Sequence, residues 1–362
     1  MPKFRFTEIA INSTEKKKPV EEDKFTYIGL EHLDSGTLTV SRWGSDIAPI
    51  GEKLVMKKGD VLFGKRRAYQ KKVGIAPFDG IFSAHGMVLR PREEVITKEY
   101  FPLFISSDYF LNEAIRISVG SLSPTVNWKD LKDLEFTIPS IEEQKRITPL
   151  IWAAIEAKNA YKEQIKCTDD LVKSQFIEMF TDTPKGKLSD IATITMGQSP
   201  DGKTYNTDGN GMPFYQGKTE FGDLYIGDAT TWTTAPSRIA EANDVLMSVR
   251  APVGSTNVAT KTCCLGRGLA GIRPIEGKST TMFILYSMRS IEDDIENMGV
   301  GSTFKAINKD VVYNLPIPIA SIELQNRFVA LAEQSDKSKF ELQQAIEKVD
   351  NLIKSLIQQD NN

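Results

Sequence analysis

The hydrophobic positions of this chain change period in a fixed order, and they do so twice. Short apolar runs come first. "DVLFG" from Asp60 and "DVLMSV" from Asp244 each follow a Gly or Asn turn position, which predicts short buried strands. Stretches with apolar residues at helical spacing follow. "TKEYFPLFISSDYFLNEAI" from Thr97 and "TTMFILYSMRSIEDDIENM" from Thr280 predict helices. Each copy then ends in a proline-led approach, "FTIPS" or "LPIPIAS", into a helix opening, "IEEQKRI" or "IELQNRF". Ser140 stands at the first helix cap, and Glu143 three residues on completes a capping box. Ser321 takes the same place in the second copy, where Leu324 leaves only half the box. The prolines keep the chain extended before each cap.

The helices that follow are long. Ile346, Val349, Ile353 and Leu356 have the three-four spacing of a coiled-coil seam. The first helix carries Ile147, Ile151, Ile155 and Ile165 around a polar middle at Lys158. Pro149 predicts a kink or a delayed start, because it removes a helical hydrogen bond. Kink and polar middle together leave the continuity of a rod open. A helix of about 40 residues would span about 60 Å. The two helices either pack on their own domains or pair antiparallel with each other. Duplication favours pairing, because equivalent seams meet readily around a two-fold axis.

The duplication extends through the whole chain with an offset of about 180 residues. "PKFRFTEIA" from Pro2 matches "PKGKLSDIA" from Pro184, and "YIGLEHLDSG" from Tyr27 matches "YQGKTEFGD" from Tyr215. "GMVLRP" from Gly86 matches "GLAGIRP" from Gly268, and "VGSLSPTVNWKDLKDL" from Val119 matches "VGSTFKAINKDVVYNL" from Val300. The expected architecture is mixed α/β (α+β). Two homologous globular domains, 1–139 and 183–320, are separated by helical regions, 140–182 and 321–362, paired as an antiparallel coiled coil.

With 362 residues, 40% hydrophobic and 26% charged, the composition is that of a soluble globular protein. No apolar run is long enough to cross a membrane, and "MPKFRFTEIA" lacks the apolar core of a signal peptide. Cys167, Cys263 and Cys264 make neither a disulfide framework nor a CxxC zinc pair. A reducing cytoplasm is the simplest expectation. The net charge of -3 does not advertise nucleic-acid binding, although charge can segregate locally.

Catalytic patterns are missing. The chain has no GxxxxGK[ST] loop, no GxGxxG after a strand and no HExxH. "NLPIP" at Asn314 does not supply an amino-methyltransferase motif, and nothing nuclease-like follows Pro200-Asp201. His32 and His85 have no counterparts in the other repeat. What remains is polar and basic. "GKRRAYQKK" clusters Lys65, Arg66, Arg67, Lys71 and Lys72 around Tyr69 and Gln70. Such cations neutralise phosphate, Arg reads guanine edges and Gln can pair with adenine. The same run also suits a solvated hairpin tip. The second repeat offers Gln198, Ser199, Tyr215, Gln216, Lys218, Arg250 and Arg267. Tyr215 and Gln216 equally suit a plain strand. Arg267 lies between glycines that would let backbone approach a phosphate, or equally serve a structural strand turn. Ser121 and Ser302 follow matched glycines, where a backbone turn is the simpler reading.

"GQSPDGKTYN", "NDVLMSVRAPVG", "LGRGLAGIRP", "VGSTFKAINKDVVYNLPIPIASIELQNRF" and "FTIPSIEEQKRI" together resemble the specificity (S) subunit of type I restriction-modification systems. The resemblance covers essentially the whole chain. It is looser in the first repeat, where "GKRRAYQKKVG" replaces an "RAPVG"-like turn. It implies a non-catalytic DNA-binding subunit whose two target recognition domains each read half of a split double-stranded sequence. The coiled coil would space the halves and dock two methyltransferase (M) subunits, with restriction (R) subunits joining through them. S-adenosylmethionine, ATP and magnesium would belong to those partners, and this chain would bind no cofactor or metal. A restriction enzyme with its own cleavage activity and a non-DNA scaffold are the rival readings.

Overall fold

The structure, a computed structural model, describes residues 2–300 and 305–358. These form two compact units, one of residues 2–162 and 344–358, the other of residues 163–300 and 305–343. Each repeats one plan. In the first unit an antiparallel sheet orders Ala10–Ser13, Met87–Pro91, Val61–Phe63 and Val73–Ile75. In the second, Ala192–Met196, Leu269–Pro274, Val245–Ser248 and Thr256–Val258 take the same order.

The apolar runs are central strands of these sheets, buried on both faces. Val61 and Phe63 enter one core cluster and Leu62 another. Val245 and Met247 likewise separate from Leu246. The period-two alternation of a strand thus serves two cores at once, which is why Val61–Phe63 and residues 245–247 are apolar throughout. The preceding turn places Gly59 (φ 91°) and Asn243 (φ 70°) in the left-handed region, where Gly and Asn fit most easily. The aspartate that follows is pinned. Asp60 accepts the Lys57 amide at 2.7 Å and two bonds from Arg90 at 2.7 and 2.8 Å. Asp244 accepts the Glu241 amide at 2.8 Å and two bonds from Arg273, both at 2.9 Å. The matched "DVL" and "RP" motifs are therefore the two ends of one structural ion pair.

A second sheet in each unit contains a parallel pair. Tyr27–Ile28 lies beside Gly80–Phe82, and Met212–Tyr215 beside Cys263–Leu265. Ile28 faces Phe82 and accepts the Ser83 amide; Tyr215 faces Leu265 and accepts the Gly266 amide. The structural counterpart of Tyr215 is thus Ile28, one residue from the tyrosine match that the sequence suggests.

Each predicted mid-domain helix is two helices. Phe101–Ser106 stops at extended Ser107, which caps Asp108–Arg116, and Thr281–Arg289 precedes Glu292–Met298. The Ser107 hydroxyl donates to the Phe104 carbonyl at 2.6 Å and accepts from the Phe110 amide at 3.3 Å. These local bonds replace the helical ones.

The long helices run Ile141–Phe180 and Ile322–Gln358. The first begins at Ile141 and is unbroken through Pro149, so the predicted delayed start does not occur. Pro149 and Lys145, whose carbonyl loses its donor, are both exposed, so water can satisfy that carbonyl. Ser140 and Ser321 cap the Glu143 and Leu324 amides at 3.2 and 3.3 Å. The Glu143 carboxylate pairs instead with Arg146 at 2.8 Å, so the reciprocal half of the predicted capping box gives way to an ion pair. In the second unit the helix segments are antiparallel, with Phe180 packing on Phe328 at 5.8 Å and Asp169 bonded to Lys339 at 2.8 Å. In the first, Ile151, Ile155, Ile353 and Ile357 share the core, and Lys158 bonds Asp350 at 2.5 Å.

The repeated helix opening is explained by one glutamine. Gln144 is fully buried, accepts the Thr97 amide at 2.7 Å and donates to the Val95 and Pro139 carbonyls, both at 2.9 Å. Gln325 accepts the Thr280 amide at 3.1 Å and donates to Lys278 and Ala320 at 2.8 and 3.0 Å. In each copy this side chain ties the start of the long helix to the loop before the mid-domain helices.

Candidate nucleic-acid interface

The loop after the central strand is held by the same backbone frame in both units. Gly64 donates to Lys72 at 2.9 Å, and Ser248 to Ser255 at 2.8 Å. Arg67 donates to Pro124 at 2.7 Å, and Ala251 to Lys305 at 2.9 Å. Arg66 bridges Thr125, and Arg250 bridges Ala306. Arg66 and Arg250 are therefore equivalent, and both are exposed.

In the first unit the basic run divides. Lys71 turns to Asp108 at 2.6 Å and Lys72 to the Leu30 carbonyl at 2.7 Å, so both anchor the loop. The Lys71 hydrogen bond holds the Asp108 carboxyl below its ordinary range. Arg66 and Arg67 remain exposed and Lys65 partly so, with Tyr69 53% exposed and Gln70 partly exposed. Arg67 (φ 56°) and Lys71 (φ 50°) are both left-handed and flank the turn Ala68–Gln70. Two strained non-glycine residues in one short loop recur typically at binding sites. Burial lowers the Lys65 pKa, and nearby Lys16 lowers it further. The site also gains residues that the sequence did not suggest. His85 Nε2 lies 3.5 Å from Arg66, and Ser123 Oγ lies 3.4 Å from Arg67 Nε. Partial burial, then Arg66, Lys65 and Lys53, press the His85 pKa down, a sign of locally positive potential. Only strand pairing brings these positions together; no linear spacing announces them. Ser121 lies on the exposed turn beside Ser123, whereas Ser302 falls outside the described residues.

In the second unit Gln216, Lys218, Arg250 and Arg267 line one hollow of about 170 Å³ with Ser248. Lys218 Nζ stands 3.3 Å from Ser255 Oγ. Ser199 Oγ accepts the Arg267 amide at 3.3 Å, and the carbonyl of exposed Gln198 accepts from Ser237 at 2.7 Å. Tyr215 does not belong to this surface. It is fully buried, and its hydroxyl donates to the Gly227 carbonyl at 2.9 Å. Burial pushes its pKa up to about 12, with Cys263 and the carboxylates of Asp228 and Glu220 adding to the rise. The glycines around Arg267 fit the structural-turn alternative. A Cβ at Gly268 would meet the Gln216 carbonyl oxygen at 2.4 Å, and one at Gly266 the Gln216 Cα at 2.8 Å. They admit the chain's own backbone, which sets Gln216 beside Arg267.

Both surfaces thus present guanidinium, ammonium and amide groups from loops on rigid strands. Such groups can hold phosphate oxygens and hydrogen-bond base edges. Among the described residues no group of three or more His, Cys, Asp or Glu could hold a metal ion, and no helix is long and apolar enough to cross a membrane.

Comparisons with known proteins identify the family. The family model of the type I restriction modification DNA specificity domain matches residues 6–166 and again 182–349. The chain is similar to the putative type I restriction enzyme MjaX specificity subunit of Methanocaldococcus jannaschii, 30% identical over 82% of this chain and 77% of that one. A solved chain from work on complex assembly and conformational transition of the type I R-M system is 30% identical. It aligns over 100% of this chain and 97% of its own with a TM-score of 0.65. The S subunit of a type I restriction-modification system from M. genitalium, 15% identical over 98% of this chain and 95% of its own, shares the fold with a TM-score of 0.56. With both repeats matched, the chain belongs to the type I restriction modification DNA specificity family.

Proposed function

We propose that each unit reads one half of a split double-stranded DNA target. Lys65, Arg66, Arg67, Tyr69 and Gln70 serve one half-site, and Gln198, Ser199, Gln216, Lys218, Arg250 and Arg267 the other. Residues 1–139 and 183–320 act as recognition domains. Residues 140–182 and 321–362 fix the gap and dock two methyltransferase subunits, through which restriction subunits join. S-adenosylmethionine, ATP and magnesium serve those partners in the cytoplasm, and this chain contributes no catalytic step. The observation that carries the reading is the shared backbone frame: equivalent arginines, Arg66 and Arg250, with different neighbours in each unit. Matched scaffolds with unmatched tips suit two readers of different sequences.

The test is co-expression with the methyltransferase encoded beside this chain, followed by genome-wide mapping of N6-methyladenine. The expected result is a bipartite motif with a fixed gap that disappears when this chain is omitted. Replacing Arg66 and Arg67 with alanine should then relax or weaken one half of that motif only. A soluble complex that methylates no such motif would turn the reading toward a scaffold.

A further inference from the structure

The long helices carry a charge pattern that the DNA reading does not use. In the first unit Lys158 Nζ lies 2.5 Å from Asp350 Oδ1. In the second, Lys339 Nζ lies 2.8 Å from Asp169 Oδ1. Lys158 and Lys339 are the same position of the repeat, about 180 residues apart, and so are Asp169 and Asp350. Each helix therefore contributes one lysine and one aspartate, and each lysine meets the aspartate of the other helix.

Both pairs sit in the helix seam. Lys158 is three residues past Ile155, and Asp350 three before Ile353; both isoleucines pack against the first core. Asp169 is three residues before Val172, which belongs to the second core. The Lys339 side chain is only 7% exposed and also reaches Asp336 at 2.9 Å. Burial works against its charge, and Asp169 and Asp336 outweigh that and hold its pKa above the ordinary value.

We propose that these reciprocal pairs lock the register and direction of the helix pairing. An apolar seam at three-four spacing tolerates a slip of one heptad, and a polar pair within it is a known means of forbidding one. A slip that sets Ile155 against Ile346 places Asp350 against Ile151. The opposite slip places Lys158 against Ile357. Either leaves a seam charge facing hydrocarbon. Parallel pairing of equivalent positions would set Lys158 against Lys339 and Asp169 against Asp350, like against like. The consequence for the gap between half-sites rests on the function proposed above; the lock itself does not.

The test is disulfide trapping in the full chain, with exposed Cys167 replaced by serine. Ile155→Cys with Ile353→Cys reports the native register, and Ile155→Cys with Ile346→Cys the slipped one. Lys158→Asp should slow native cross-linking at least about fivefold, the scale of a coupled pair. Adding Asp350→Lys should restore it. Unchanged cross-linking in Lys158→Asp would overturn the lock. So would a double reversal no better than the single one, which also covers a single variant that fails to fold. DNA binding enters none of these outcomes.

Discussion

Replacing Gln325 with leucine puts an apolar side chain of similar bulk at a fully buried position and deletes three hydrogen bonds. The amide of Thr280 and the carbonyls of Lys278 and Ala320 lose their side-chain partner. A stranded buried group costs about 1–3 kcal/mol. Lys278 is exposed and Ala320 partly so, which gives water access near two of the three. The Thr280 amide bears most of the loss, and the gross cost is about 3–4 kcal/mol. Burying the leucine side chain returns about 1 kcal/mol. A net destabilisation of about 2–3 kcal/mol is a large share of the 5–15 that holds a typical domain. Urea unfolding measures the total, and hydrogen exchange at the Thr280 amide reports the local event. Gln325→Glu should be worse, because it keeps the acceptor yet sets a carboxylate against two carbonyl oxygens. Gln144→Leu should behave alike in the first unit. A Gln325→Leu protein within about 0.5 kcal/mol of the parent, with Thr280 protection intact, would refute the assignment of this residue as the tie between helix and domain.

Other consequences are open to direct measurement. Asp244→Asn breaks the pair with Arg273; because Arg273 is 42% exposed and also held by Glu241, the loss should be about 2–3 kcal/mol rather than the 3–5 of a fully buried pair. Equal unfolding midpoints for variant and parent would count against it. Arg250→Ala should flatten the salt dependence of DNA binding by about one phosphate contact and spare the half-site read by the first unit. A change confined to that other half-site would contradict the assignment. His85 should titrate below the ordinary 6.5, and Arg66→Ala should raise its midpoint in an imidazole NMR titration. The sign for stability follows: the unfolded chain takes up the proton more readily, so the contribution of neutral His85 is complete above pH 6.5 and declines as pH falls toward the lower folded value. A midpoint indifferent to Arg66 would remove the contact.

The scaffold was readable because its repeated motifs are bonded devices with short-range signatures. Asp60 and Asp244 follow a left-handed turn and open a strand; Ser140 and Ser321 cap a helix. Each leaves a local mark in residue type and spacing. Partners chosen across the fold leave none. Nothing near "QKKVG" indicates that Lys71 meets Asp108 while Arg66 stays open beside His85. Nothing in "YQGK" distinguishes Tyr215, in the core, from Gln216, in the hollow, except the strand alternation itself. Applied strictly, that alternation would have turned one of the two inward. The break at Ser107 was hidden for a different reason: its helix-ending bonds are made by a hydroxyl that also occurs within helices.

The same division explains how one scaffold can carry two specificities. In both units the loop proposed to read DNA is anchored by main-chain bonds, from Arg67 to Pro124 and from Ala251 to Lys305. Main-chain anchors do not depend on the side chains beside them. The two loops can therefore differ in every exposed residue but the equivalent arginine and still be held in one place relative to the central strand. Side-chain anchors such as Lys71 with Asp108 are then local additions, needed where left-handed Arg67 and Lys71 strain the loop. In the second unit Arg250 shares its hollow with Gln216, Lys218 and Arg267, whereas Arg66 lies beside His85. Under the proposed assignment, a change of target sequence requires new loop side chains and leaves the buried glutamine and the Asp–Arg pair untouched.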